Sequence, residues 1–165
     1  MSTPGEDRDS GADRETTQQE IEQVVREVFE QRIPFNQVLG LEIESLSEPV
    51  SLGFDFRQQL VGNPVRQALH GGVTSAALDT VGGLAAFLDV MHRMEGVSLE
   101  ERSARLGRIG TIDLRIDYLR SGRGERFVAT GHVLRSGSRV VVTRMELHDQ
   151  DGMLLAVGTG TYIVG

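Results

Sequence analysis

The chain has 165 residues, a net charge of −7 and no cysteine, and this length suits one domain with a buried core. The acidic balance offers no excess positive field for a nucleic-acid backbone, and the missing cysteines exclude disulfides, thiolate nucleophiles and cysteine-based metal sites. All 17 basic residues are arginine, which excludes a P-loop lysine and a Schiff-base lysine.

The sequence also indicates where the protein is located. No run approaches the length of apolar sequence that crosses a bilayer, and the N-terminus lacks the basic and apolar regions of a secretory signal. We therefore expect a cytoplasmic protein without a membrane span. Residues 1–14 mix Gly, Ser, Pro and charge with almost nothing to bury, which predicts a disordered tail before a single domain over residues 15–165.

The first third of the chain predicts a helix followed by a hairpin. A capping box at Thr17-Gln18-Gln19-Glu20 precedes apolar residues at helical spacing, and Pro34 is expected to end this amphipathic helix. From Gly40 the apolar period shortens, which predicts two strands that turn near Glu48-Pro49. Their apolar positions are Leu41, Ile43, Leu46, Leu52, Phe54 and Phe56.

The segment Gly71–Leu88 predicts a buried helix. Its apolar residues fall at helical spacing, and Asp79 is its single charge. A second capping box, Ser98-x-x-Glu101, predicts a short polar helix that reaches about Arg105.

The last third predicts an antiparallel sheet. Ile112, Leu114, Ile116 and Tyr118 alternate with polar residues, as in a strand with one buried face and one wet face. Three further runs, at about 125–135, 139–148 and 153–163, are separated by Ser-Gly and Asp-Gly turns. The whole order predicts an α+β fold, in which a curved antiparallel sheet wraps a long central helix and an extra helix precedes them.

One stretch carries a recognisable motif, Gly62-Asn63-Pro64-…-Leu69-His70-Gly71-Gly72-Val73-…-Leu78-Asp79-Thr80-…-Gly82-Gly83. It resembles the signature of hotdog-fold thioesterases of the phenylacetate-pathway (PaaI-like) group. The resemblance covers residues 35–164 and includes the Gly110-Thr111-Ile112-Asp113-Leu114 strand. It implies a hotdog fold, an acyl-CoA thioester as substrate, and no cofactor or metal beyond the CoA of the substrate.

The resemblance also implies the two main catalytic groups. The Gly71 backbone N–H donates to the thioester carbonyl, and the carboxylate eight residues later, Asp79, activates water or attacks the carbonyl. The position of Gly71 and Gly72 at a predicted helix N-terminus supports this assignment, because unpaired N–H groups and the helix dipole favour developing negative charge there. A simple loop-to-helix turn is the alternative explanation of the glycines.

Asp79 is unusual as a lone acid among apolar neighbours. On a helix it shares a stripe with small residues, so we expect the acyl thioester or a partner subunit to pack closely there. The alternative is a structural aspartate that is hydrogen-bonded at a tight helix or subunit contact. The small residues are Ser75, Gly82, Gly83 and Ala86.

Helix geometry predicts that the site needs two chains. Eight helical residues rise about 12 Å, so one carbonyl cannot meet both the Gly71 N–H and the Asp79 carboxylate of the same chain. A two-fold dimer with antiparallel central helices brings Gly71 of one subunit near Asp79 of the other, as the family resemblance also implies. We expect a homodimer or a homotetramer, and an inactive monomer.

Three more residues have implied roles near this centre. Asn63 is expected to orient the attacking water or the thioester, although an Asn-Pro pair is also an ordinary turn signal. His70 is either a base or a residue that fixes the loop through hydrogen bonds. Thr111 occupies a position where relatives carry a small hydroxyl residue, and it is expected to hold Asp79 or the water.

Two arginine-bearing turns are candidates for binding the CoA phosphates. They are Arg120-Ser121-Gly122-Arg123 at a strand end and Ser136-Gly137-Ser138-Arg139 at a turn, where guanidinium and backbone donors suit phosphate oxygens. The candidate binding residues are thus Gly72, Thr111, Arg120, Ser121, Ser138 and Arg139. Solvated turn arginines are the alternative interpretation.

Other functions fit the sequence less well. The chain has no G-x-S-x-G elbow, no H-E-x-x-H and no complete dinucleotide-binding glycine motif. A hotdog hydratase needs a histidine and an acid placed together, and no such pairing is present in the sequence. The remaining alternative is a non-catalytic acyl-CoA-binding or scaffolding hotdog protein, in which Asp79 is structural.

Overall fold

The computed structural model describes residues 10–94, 97, 101, 104 and 106–165, with the backbone alone for residues 10–17 and 106. The capping box predicted at Ser98 lies outside the described residues, as do the first nine residues of the predicted tail.

The N-terminal helix is longer than predicted. Helix α1 spans Ser10–Arg26 and continues through a π-helical segment, Glu27–Arg32. Residues 10–14 are thus helical rather than part of a disordered tail, and the box at Thr17 lies inside the helix instead of capping it. Ala, Arg and Glu in this stretch favour helix locally, which the low apolar content concealed. The predicted apolar stripe is confirmed, with Ile21, Val25 and Phe29 buried.

Pro34 ends the first helix as predicted and begins a second one that was not predicted. Ile33 is extended, as a residue before proline prefers, and Pro34 then occupies the first turn of α2, Pro34–Leu39. Gly40 closes α2 in the left-handed conformation, with φ of 69°. The buried Asn36 donates from Nδ2 to the Phe29 carbonyl at 2.9 Å, which ties α2 to the preceding helix.

The predicted hairpin is confirmed as strands β1, Glu42–Ser45, and β2, Val50–Asp55, which pair antiparallel. A second, smaller hairpin follows, made of β3, Val61–Asn63, and β4, Ala68–Leu69. Strands of three and two residues are too short to carry an alternating pattern, so the sequence did not predict them. This small hairpin leads directly into the central helix.

The last four strands are also confirmed, as β5, Gly110–Tyr118, β6, Arg126–Ser136, β7, Val140–Asp149, and β8, Leu154–Ile163. They join the first hairpin in one antiparallel sheet with the order β1-β2-β6-β7-β8-β5. Strands β1 and β5 are therefore the two edges of the sheet.

The central helix α3 spans Gly71–Arg93 and packs mainly against β6 and β7. Its buried side chains meet those of the sheet in one apolar core, which is the predicted arrangement of a long helix on an antiparallel sheet. The helix is long and apolar enough to cross a bilayer, but 67% of its most apolar window is buried inside the fold. Core residues include Leu52, Phe54, Leu78, Val81, Leu84, Phe87, Phe127 and Leu147.

The edge strand β5 departs from its predicted alternation. Ile112 and Tyr118 were expected on a buried face, but they are 57% and 56% exposed. An irregularity between Thr111 and Asp113 interrupts the pairing with β8, and Leu114 and Ile116 are only half-buried. An edge strand has a neighbour on one side alone, so its far side keeps unpaired backbone groups and exposed apolar surface.

The core supports a stability prediction at Phe127, whose ring stacks on Phe54 with centroids 5.3 Å apart. Replacing Phe127 with alanine should lower the free energy of unfolding by about 3–5 kcal/mol, because it removes the stacking and leaves a cavity. The matched control is Val128→Ala on the same strand, where the side chain is half-buried and the loss should be smaller. Urea unfolding at equal protein concentration measures both, and equal losses would contradict the assigned packing.

Candidate active site

His70 fixes the start of the central helix. Its backbone N–H donates to the Leu60 carbonyl at 2.8 Å, and its own carbonyl accepts the Val73 N–H at 2.9 Å. The side chain caps the helix, with Nδ1 accepting the Gly72 N–H at 2.8 Å. An Nδ1 that accepts carries no proton, so in the neutral ring the proton is on Nε2. The sequence left two roles open for His70, a base or a residue that fixes the loop, and this hydrogen bond is of the second kind.

The peptide between Gly71 and Gly72 is held at both of its polar atoms. Its carbonyl accepts the Tyr118 hydroxyl at 3.0 Å, and its N–H donates to His70. Within the described part of the chain, the Gly71 N–H itself has no acceptor. The Gly71 N–H is therefore an available donor at the positive end of a long helix. Such a donor can stabilise an oxyanion. The Gly72 N–H, predicted to bind substrate, is already paired.

Asp79 lies two turns further along the helix and is half-buried. Its Oδ1 accepts the Thr111 hydroxyl at 2.9 Å, which places Thr111 as the sequence predicted, and the Tyr162 hydroxyl lies 3.3 Å from the same oxygen. No donor among the described residues reaches Oδ2. The carboxylate is thus anchored through one oxygen, and the other remains available for a water molecule or a substrate.

Tyr162 is the functional neighbour that sequence reasoning missed. It lies on β8, is 1% exposed, and its hydroxyl also lies 3.1 Å from the Asp79 carbonyl. Burial, and secondarily the negative charge of Asp79, raise the pKa of Tyr162 far above its usual range. The phenol therefore stays protonated and acts as a donor. The signal in the sequence was the strand glycine Gly160, because glycine inside a strand marks a close approach, and a Cβ there would lie 2.7 Å from the Tyr162 hydroxyl.

The stripe of small residues beside Asp79 has a different explanation from the predicted one. A Cβ on Gly82 would lie 2.3 Å from the Tyr162 hydroxyl, and Ala86 is buried in a cluster with Tyr162 and Val141. These two positions are small because a side chain of the same chain packs there. The expectation that substrate or a partner subunit occupies the whole stripe is therefore wrong for Gly82 and Ala86.

Asn63 is the last residue of β3 in the small hairpin, where it pairs with Ala68. Its Oδ1 accepts the Val65 and Arg66 N–H groups at 3.1 and 2.9 Å, which makes the turn that an Asn-Pro pair also signals. The hairpin nevertheless lies against the start of the helix, since a Cβ on Gly62 would be 2.5 Å from the His70 Cα. The structure therefore places Asn63 near His70 with its oxygen engaged in the turn.

The two arginine-bearing turns lie at opposite ends of α3. The Gly122 carbonyl accepts the Leu69 N–H at 2.8 Å, which puts Arg120 and Ser121 beside the helix start, and Arg120 donates to the Leu154 carbonyl at 2.9 Å. Arg93 near the helix end donates to the Gly137 carbonyl at 3.1 Å, so the neighbouring Ser138 and Arg139 lie there. A helix of 23 residues is about 34 Å long, which separates the two turns in one chain.

The residues around Gly71 and those around Asp79 thus form two separate clusters. We name Gly71, Gly72, His70 and Tyr118 the amide half, and Asp79, Thr111 and Tyr162 the carboxylate half. The amide half offers a donor for developing negative charge, and the carboxylate half offers a proton acceptor or nucleophile. They are joined by the rigid first two turns of α3, which keep them about 12 Å apart.

Comparisons with known proteins identify the family of this chain. A family model described as the thioesterase superfamily matches residues 67–156, which include both Gly71 and Asp79. The medium/long-chain acyl-CoA thioesterases YigI of Escherichia coli K12 and of Salmonella typhimurium are each 45% identical over 150 residues, covering 90% of this chain and 97% of theirs.

A solved structure has the same fold. The crystal structure of a protein from Shewanella oneidensis, related to the thioesterase superfamily, is 47% identical and has a TM-score of 0.85. The alignment covers 90% of this chain and 98% of the other. The long helix on its antiparallel sheet is therefore the hotdog fold. This chain belongs to the thioesterase superfamily.

Proposed function

We propose that this protein is an acyl-CoA thioesterase that uses the Asp79 carboxylate and the Gly71 N–H. The observation behind the proposal is that one helix carries both an N-terminal N–H without an acceptor, at Gly71, and a carboxylate held through one oxygen only, at Asp79. The relatives named medium/long-chain acyl-CoA thioesterases support an acyl chain of medium or long length, which the sequence alone left open.

The proposed chemistry assigns one task to each half. The thioester carbonyl oxygen accepts a hydrogen bond from the Gly71 N–H, which stabilises the negative charge that develops when the carbonyl carbon is attacked. Ionised Asp79 accepts the proton of the attacking water at Oδ2, the C–S bond breaks, and the proton passes on to the leaving thiolate, giving a free acid and CoA. In the second route Asp79 attacks the carbonyl carbon directly, the C–S bond breaks and CoA leaves as the thiolate. Water then hydrolyses the anhydride, which gives the free acid and regenerates Asp79, and the proton released by this step passes to the thiolate.

The edge strand β5 provides the argument for a site shared between subunits. Thr111, at its beginning, touches Asp79, and Tyr118, at its end, touches Gly71. When β5 pairs antiparallel with β5 of a second copy about a two-fold axis, the beginning of one strand lies beside the end of the other. This pairing places the carboxylate half of one subunit against the amide half of its partner, and it covers the exposed Ile112 and Tyr118.

The nucleotide and the acyl chain follow from the same arrangement. Arg120 and Ser121 lie beside the amide half, where the guanidinium donors that do not bind Leu154 suit a CoA phosphate. Ser138 and Arg139 lie at the far end of α3, so they would reach the nucleotide only from another subunit. The acyl chain then runs along the interface between the two central helices.

Replacement of Asp79 with asparagine tests the catalytic assignment. Asparagine keeps an oxygen that accepts from Thr111 and Tyr162 but loses the charge, so kcat should fall by about 10²- to 10⁴-fold. Release of CoA from dodecanoyl-CoA is measured with a chromogenic thiol reagent, and the cysteine-free chain gives no background. The matched control is Asp89→Asn on the same helix, where Asp89 bonds Arg93 and Ser136 and kcat should change little.

The same assay separates the enzyme from a non-catalytic binding protein. Isothermal titration with S-dodecyl-CoA, a thioether that cannot be hydrolysed, should give similar binding to the Asp79→Asn variant and to the wild type. Unchanged kcat in this variant would overturn the assignment of Asp79. Tight binding without thiol release by the wild type, over acyl chains from acetyl to palmitoyl, would favour the binding or scaffolding alternative.

Complementation between two defective chains tests the shared site. Gly71→Pro removes the free N–H at a first-turn position that suits proline, and His70 before it is already extended, with φ −65° and ψ 136°. Each homodimer of Gly71→Pro or of Asp79→Asn should be nearly inactive. A heterodimer of one chain of each, purified through two different tags, contains one intact site and should regain about half of the wild-type activity.

The reciprocal heterodimer provides the control. It pairs a wild-type chain with a chain that carries both substitutions, so each shared site contains one defect and activity should be lost. If the sites lay within single chains, the result would be reversed, with the second heterodimer active and the first inactive.

A further inference from the structure

The Tyr162 phenol extends from β8 to the Asp79 residue of α3. Tyr162 and Thr111 are cross-strand partners on β8 and β5, so their side chains stand next to each other and both hydroxyls reach Asp79 Oδ1. The sheet therefore presents two donors to Asp79: the Thr111 hydroxyl donates to Oδ1 at 2.9 Å, and the single Tyr162 hydroxyl hydrogen is shared between Oδ1 at 3.3 Å and the Asp79 main-chain carbonyl at 3.1 Å. The two strands contribute residues that are 32 and 83 positions from Asp79 in the sequence.

Two glycines make room for this phenol. A Cβ on Gly82 of α3 would lie 2.3 Å from the Tyr162 hydroxyl, and a Cβ on Gly160 of β8 would lie 2.7 Å from it. Distances below about 3 Å are too short for non-bonded heavy atoms such as these. The hydroxyl thus occupies a space bounded on both the helix side and the sheet side, which fixes where it can donate.

Electrostatics keeps the phenol in its donor form. Burial raises the pKa of Tyr162, as does the neighbouring Asp79 charge, while a hydrogen bond with Thr143 on β7 acts in the opposite direction. Asp79 is the titratable group that affects Tyr162 among the described residues. The phenol remains neutral over the range in which a carboxylate titrates, so it can stabilise the ionised carboxylate throughout.

We propose that Tyr162 is a positioning residue that holds Asp79 Oδ1 from the sheet side, so that Oδ2 faces the thioester of the partner's amide half. The proposal rests on the proposed function, because it assigns a catalytic use to Asp79. Tyr162 is buried where β8 meets α3, so it does not contact the substrate in this proposal. It acts on kcat through the orientation and ionisation of Asp79. A merely structural tyrosine would instead affect stability and leave the pH profile unchanged.

Replacement of Tyr162 with phenylalanine removes only the hydroxyl. We expect kcat with dodecanoyl-CoA to fall about ten-fold or more, since a hydrogen bond to a charged group is lost, and KM to stay within about two-fold. The acid limb of the kcat/KM pH profile should move to higher pH, because the ionised carboxylate loses one of its two donors. A full pH series of initial rates measures both quantities.

Two control variants distinguish positioning from packing. Val141→Ala loosens the cluster around the Tyr162 ring without removing a polar atom, so it should lower the melting temperature and leave the acid limb in place. Tyr118→Phe also removes one phenol hydroxyl, but from the amide half, so it should lower kcat without moving the acid limb. An acid limb that moves in all three variants, or in none, would overturn the positioning role.

A double variant separates this inference from the proposed function. If Tyr162 acts through Asp79, adding Tyr162→Phe to Asp79→Asn should reduce the residual rate by much less than ten-fold. An undiminished ten-fold loss in the double variant would overturn the inference while leaving Asp79 catalytic. An Asp79→Asn variant with full activity would overturn the proposed function, whatever the behaviour of Tyr162→Phe.

Discussion

Gly71 and Asp79 lie eight residues apart on one rigid helix, and this spacing limits how the two groups can act. An α-helix rises about 1.5 Å per residue, and its hydrogen-bonded backbone cannot shorten to bring the two groups together. The same helix makes both groups useful, since its N-terminus leaves the Gly71 N–H unpaired and its buried core face fixes the position of Asp79. In the proposed mechanism, a single helix thus prepares both groups and also prevents them from acting together within one chain.

The two tyrosines of the chain take corresponding positions in the two halves. The Tyr118 hydroxyl donates to the Gly71 carbonyl, and the Tyr162 hydroxyl donates to the carboxylate of Asp79. They differ in burial, since Tyr118 is more than half exposed on the edge strand and Tyr162 lies in the core. In a two-fold pairing through β5, Tyr118 becomes part of the interface, so assembly also fixes the orientation of the amide half. The orientation of the carboxylate half depends only on the fold of one chain.

Much of this fold was predictable from the sequence because its elements are long and periodic. The Gly71–Arg93 helix and the later strands carry clear apolar patterns, and the glycine-histidine motif singled out Gly71 and Asp79, which both lie on this helix. Helix α2 and the small hairpin were missed because they are too short to show a period. Tyr162 was missed because its contact with Asp79 spans 83 positions, and a pattern of local spacing contains no such information. The same gap led to the wrong explanation of Gly82, whose neighbour is a distant residue of its own chain.

The exposed edge of β5 connects assembly with catalysis in a second way. In a single chain the Gly71 N–H and Asp79 face water, where competing hydrogen bonds and the high dielectric weaken any stabilisation of an oxyanion. In the proposed dimer, pairing of β5 with a second copy covers this edge and removes water from both halves at once, so the same N–H and carboxylate act in a medium of lower dielectric. The apolar residues that an isolated edge strand leaves exposed, Ile112 among them, are then the surface that excludes water. In this proposal, association completes the set of catalytic groups and also creates the environment in which they are effective.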